Sequence, residues 1–128
     1  MKYYFEKTVK LSFEDAVQRV TEELKKEGFG ILSEIDVADT MKKKLDVDFR
    51  KYKILGACNP SFAYKALQAE DKIGAMLPCN VIVQHVSDTQ TEIAAVDPVA
   101  SMQSVQNNEL TEIATEIRSK LENVIHSL

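Results

Sequence analysis

No stretch of this sequence approaches the roughly 20 consecutive apolar residues of a membrane-spanning helix, so membrane partners are not expected. A basic surplus is lacking too: 16 Lys and Arg against 20 Asp and Glu leave a formal charge of −4. Neutralising phosphates needs a basic face, so nucleic acid is not an expected partner either. The run Lys42-Lys43-Lys44 is a local exception and reads as the solvated face of a helix. Residues Met1 to Lys7 carry an early charge, no apolar h-region and no small-residue cleavage site, which places the expected location in the cytoplasm.

Sulfur and imidazole are scarce, with two cysteines and two histidines in 128 residues. In a reducing compartment the cysteines are expected as free thiols, ligands or redox groups rather than a structural disulfide. A domain of this length buries roughly two-thirds of its unfolded surface and needs no staple. Cys58 and Cys79 stand 21 positions apart with no close histidine, which is not a zinc-site spacing. Cu(I), a soft ion, needs only two thiolates, so the identity of any metal stays open. No Ser-His-Asp order, P-loop, Gly-x-Gly-x-x-Gly or paired His-Glu helix motif is present. Repeats, low-complexity tracts and Pro/Gly/Ser linkers are also missing, so residues 1–128 read as one domain.

What remains is well patterned. Tyr3 to Leu11 alternates as a strand with one wet face. Ser12 caps a helix whose Phe13, Val17, Val20 and Leu24 form an apolar stripe, and Gly28 stands where a left-handed cap ends it. Phe29 to Ile35 is a second strand, and Asp36 caps a helix from Val37 to Leu45. Tyr52 to Cys58 is short and apolar, a buried strand. Asn59 and Pro60 then open a helix that ends near Glu70. Cys79 to Val86 and Thr89 to Val96 form a hairpin. Pro98 to Val105 allows one helical turn, and a long amphipathic helix starts at Asn107 or Asn108. The order β-α-β-α-β-α-β-β-α predicts a single α+β domain with a mixed sheet and the long C-terminal helix packed on it.

The stretch from Gly56 to Asn80 is unlike structural filler. It holds both cysteines, each followed by an asparagine and each with a proline beside the pair. Cys58 is expected at a strand end just before a helix, where unpaired N–H groups favour a thiolate. The same residue type packs as a small hydrophobe when it has no role. Cys79 is expected at a strand start, so both thiols fall near element ends, although sequence separation fixes no distance between them. Asn59 and Asn80 have structural roles available, as a helix cap and a turn partner, and their amides could also orient a ligand beside the thiols. His85 and His126 read as ordinary strand and helix-end residues, and Asp97 as turn chemistry ahead of Pro98.

Gly28-Phe29, Glu34-Ile35-Asp36-Val37, Tyr52 through Pro60, Leu77-Pro78-Cys79-Asn80-Val81 and Val96-Asp97-Pro98 together resemble the domain-of-unknown-function family 302. That resemblance covers nearly the whole chain. It implies a compact bacterial or archaeal α+β domain that tends to form homodimers, and it implies no catalytic residue, cofactor or activity. The candidate site residues are therefore Cys58, Asn59, Cys79 and Asn80. Three readings stay open. One is a dimeric binding protein for a small molecule, a sulfur species or a soft metal. The second is a thiol-dependent redox or transfer enzyme. The third is a structural or interaction module with both cysteines in its core.

Overall fold

The structure, a computed structural model, describes residues 2–128. Its strands are β1 (Tyr4–Val9), β2 (Gly30–Asp36), β3 (Tyr52–Cys58), β4 (Cys79–Ser87) and β5 (Gln90–Val96). Its helices are α1 (Phe13–Lys26), α2 (Val37–Leu45), α3 (Pro60–Ala69), α4 (Pro98–Ser101) and α5 (Asn108–His126), with a 3-10 turn at Ile73–Met76. The expected element order holds in a single α+β domain, with the long last helix packed on the sheet.

Local chemistry sets most of these boundaries. Ser12 Oγ accepts from the Asp15 amide at 3.2 Å and starts α1, and Asp36 Oδ1 accepts from the Asp39 amide at 2.9 Å and starts α2. Helix α1 ends in a Schellman arrangement. Gly28 takes φ +88°, its amide donates to the Lys25 carbonyl, and the Phe29 amide donates to that of Leu24. Leu24 and Phe29 are both buried, the apolar contact that accompanies such a cap.

The strands lie in the order β1-β5-β4-β3-β2. The expected mixed sheet is antiparallel throughout. Helix α1 carries the chain from β1 on one edge to β2 on the other, so these two strands of like direction never become neighbours. Alternation along a strand encodes its two faces but not its neighbours, which is why strand direction is not readable from the pattern.

Rows of facing residues divide the sheet cleanly. Leu55, Val81, Ala95 and Phe5 stand opposite one another on the helix side, as do Val83 and Ile93. Leu55, Val81, Val83, Ile93 and Ala95 are essentially inaccessible beneath α1 and α5. The other face carries Ile35, Ile54, Ile82, Ala94 and Glu6 as one row across all five strands. None of these is buried.

Two apolar cores result. The larger joins the sheet, α1 and the C-terminal half of α5 through Val20, Leu24, Val81, Leu121 and Val124. The smaller joins α3, the 3-10 turn, α4 and the N-terminal half of α5 through Ala66, Ile73, Met102, Leu110 and Ala114. At 19 residues α5 is about 28 Å long, and it serves both cores in succession.

Candidate functional site

The two cores do not merge. Between them lies a cavity of about 320 Å³, walled on one side by Phe29, Ala57, Cys79 and Ile117 and on the other by Ala66, Met102, Leu110 and Ala114. Helix α3 forms a third wall through Phe62, Ala63 and Leu67, and Leu77 and Pro78 close the end beyond the 3-10 turn. Among the described residues lining it, Asn59 is the sole one with a side-chain nitrogen or oxygen. No buried side-chain nitrogen or oxygen among the described residues lacks a hydrogen-bond partner. The wall is therefore apolar, with sulfur as its unusual element.

Three of the four sequence candidates meet here, since Cys58, Asn59 and Cys79 all line the cavity. Strand pairing sets the two cysteines at neighbouring strand ends. Ala57 stands opposite Cys79, so Cys58 is one residue beyond Cys79's partner on the adjacent strand. Both cysteines are free, Cys58 half-buried and Cys79 buried. Burial, and to a lesser degree the neighbouring Cys58, push the Cys79 thiol up from 9.0 to about 11. Cys79 is thus a neutral thiol at neutral pH, with a thiolate share on the order of one in ten thousand.

Asn80 is placed elsewhere. It stands opposite Gly56 on the helix-free face and lines a second, more polar concavity of about 420 Å³ there with Tyr4, Glu6, Ile82 and Glu92. The period of two along β4 puts Cys79 with Val81 and Val83 and sets Asn80 against them, so adjacent residues of one motif serve opposite faces.

Asn59 occupies the cap position of α3, yet its side chain makes no capping bond. Its Nδ2 donates instead to the Glu27 carbonyl at 3.2 Å, and its Oδ1 accepts from Ser61 Oγ at 3.3 Å. That carbonyl is one of the orphan acceptors at the end of α1. The tie requires a close approach, because a Cβ on Gly28 would lie 3.0 Å from Asn59 Nδ2. The far end of α3 is tied in the same way: Asn107 Nδ2 donates to the Ala69 carbonyl at 2.8 Å while its Oδ1 caps α5. Helix α3 buries only Ala66, so these two asparagines do much to hold the cavity's third wall in place.

Two further features adjoin residues of the cavity. The register of β2 against β3 shifts between Ile31 and Ser33, and the extra residue, Leu32, is exposed and reaches the cavity rim. Opposite the bulge, Gly56 admits Ser33 and Pro78. A Cβ there would lie 2.2 Å from Ser33 Oγ and 2.8 Å from Pro78 Cγ. At the α3–α5 side, the ammonium groups of Lys65 and Lys120 lie 5.4 and 5.9 Å from the ring centre of Phe62.

The remaining polar candidates have structural partners. Buried Asp97 caps α4 through the Val99 amide at 3.0 Å and accepts from Arg118 Nε at 3.1 Å. His85 Nε2 lies 3.7 Å from Asp88 Oδ1, within the hairpin and away from the cavity lining. Lys42 and Lys43 pair with Asp46 and Asp39 at 3.0 and 2.9 Å, a solvated face as their sequence suggests. Among the described residues no group of three or more His, Cys, Asp or Glu is gathered as a metal site.

Sequence reasoning did not reach Phe62, Met102, Leu110 or Ile113 as site residues. The periodic stripe of α5 reads the same whether it meets a packed neighbour or a void. The faint signal is the run of small residues, Ala63, Ala66 and Ala114, on facing helices.

Comparison with known proteins agrees with this architecture. Residues 5–128 match the family model described as "Domain of unknown function DUF302". The crystal structure of an uncharacterized conserved protein DUF302 from Bacillus stearothermophilus superposes with a TM-score of 0.89, at 28% identity and with 98% of each chain covered. Among curated proteins none matches this chain.

Proposed function

This chain belongs to the DUF302 family, and from that premise we propose that it is a small-molecule-binding protein whose ligand occupies the cavity beside Cys58, Asn59 and Cys79. The observation that carries the reading is the gap between the two cores. A volume of about 320 Å³ lies in the range of ligand sites, and a domain free to close its core does not ordinarily leave such a space apolar and open. The asparagine ties at both ends of α3 support it, since they brace a wall that packing alone holds weakly.

A thiol-dependent enzyme is the weaker reading. Its raised pKa makes Cys79 a poor attacking group at neutral pH, so any such chemistry would fall to Cys58. A soft metal would have the two thiols alone to rest on. Free thiols suit a reducing compartment, which favours the cytoplasm, and the charge of −4 favours partners other than nucleic acid. None of the helices among the described residues is long and apolar enough to cross a membrane. We place a homodimer contact on the helix-free sheet face, where Ile35, Ile54 and Ile82 are contiguous and unburied.

A thermal-shift screen of apolar small molecules tests the cavity, run beside Ala63→Leu and Ala114→Leu, which fill it from facing helices. A ligand that binds the folded state alone raises the apparent melting point. Hits on the native chain that vanish in both filled variants are expected. No hit of any chemical class, or hits that persist in both variants, would overturn the reading.

A further inference from the structure

The rim of the cavity assigns a chemical class to its ligand, an inference that rests on the cavity being a binding site. We propose that the ligand is an amphipathic anion: an aliphatic chain lying in the cavity with a carboxylate head held at the rim between Lys65 and Lys120.

The wall dictates the chain. Asn59 is the single lining residue with a side-chain nitrogen or oxygen, and both of its polar ends are already engaged, on Glu27 and Ser61. A buried polar group on the ligand would have only the spare N–H and lone pair of Asn59 to meet among the lining side chains, and unpaired polar burial is costly. If each methylene takes about a water's share of volume, ~30 Å³, a cavity of about 320 Å³ holds a chain of at most about ten carbons.

The rim dictates the head. Lys65 on α3 and Lys120 on α5 hold their ammonium groups 5.4 and 5.9 Å from the ring centre of Phe62, a wall residue, so two positive charges stand beside one wall of the cavity. Among the described residues neither ammonium is paired with a carboxylate. Lys65 has Ser61, Phe62, Gln68 and Ala69 one turn away, and no acid. Lys120 does have Glu116 one turn before it on α5, where an i, i+4 pair is the common outcome, yet the two are not paired. On a chain with four excess negative charges, two unpaired cations share one cavity-wall ring. Long lysine stems cover apolar surface while their heads stay in water. A carboxylate met there keeps most of its hydration and avoids the cost of a buried charge.

Calorimetric titration with octanoate, 1-octanol and octylamine, each kept below its aggregation concentration, tests the assignment. Octanoate is expected to bind once per chain and more tightly than either of the others. Each methylene from hexanoate to octanoate should tighten binding about fourfold. Lys65→Gln with Lys120→Gln, both rim substitutions, should weaken octanoate about three- to tenfold and leave octanol unchanged. Octanol or octylamine binding as well as octanoate, or octanoate indifferent to the double variant, overturns the anion and leaves the cavity reading standing. Octanoate that binds Ala63→Leu undiminished is held elsewhere, which also overturns it. Neither octanoate nor octanol binding removes this proposal, and the cavity reading falls with it only if the broader screen is empty too.

Discussion

Cys79 shows how placement decides chemistry at the scale of one residue. It lies deep beside the cavity with its thiol pushed up to about 11, first by burial and then by Cys58. In the unfolded chain it ionises near the ordinary 9.0, so between these values the unfolded state releases a proton that the folded state keeps. The stability this neutral thiol contributes is fully present below pH 9.0 and is lost as pH rises through about 11. The loss amounts to about 2–3 kcal/mol. Urea denaturation followed from about pH 8 to pH 11 should therefore fall more steeply for the native chain than for Cys79→Ala. Equal slopes would contradict the burial of this thiol. Cys58, half-buried on the neighbouring strand, should accept iodoacetamide at neutral pH well before Cys79 does.

The elements show what was legible and what was not. Ser12, Gly28 and Asp36 do in the structure what their positions in the sequence indicate, because caps are local chemistry. Helix α2 and strand β3 likewise keep the bounds that their patterns give. Beyond the β4–β5 hairpin, strand order and the antiparallel sense were hidden, since both depend on which edge each crossover reaches. The cavity was hidden for a related reason: the apolar face of α5 carries no mark where one core stops and the next begins. Asn59 was half legible. Its position at the start of α3 follows from Pro60, but its hydrogen bond goes to Glu27, 32 residues away, and a long-range partner leaves no local trace. Asn59→Ala should cost about 1 kcal/mol, and Asn107→Ala about 1–2 kcal/mol because it loses a cap and a tie together. Chemical denaturation reads both costs. Unchanged stability in both would mean that α3 is held by packing alone.

On the scale of the whole molecule, the two faces of the sheet have different fates. One is covered by α1 and α5 and holds the larger core, and the other presents a row of unburied isoleucines. A second copy laid on that row would shield it. Ile82→Lys, at the middle of the row, should then yield a monomer by sedimentation velocity where the native chain sediments as a dimer. A native chain that is monomeric at high concentration would contradict the contact. Dimer formation on this face leaves the cavity accessible, because the cavity lies among the helices on the opposite side. The two surfaces can therefore be tested independently, one by association state and the other by ligand.

Where a ligand sits tests the cavity most directly. In a methyl-resolved magnetic resonance titration with octanoate, saturable shifts are expected centred on Ala63, Ala66, Ala114 and Ile117, residues that wall the gap between the cores. Shifts centred instead on Ile54 and Ile82 of the open face would contradict a site between the cores.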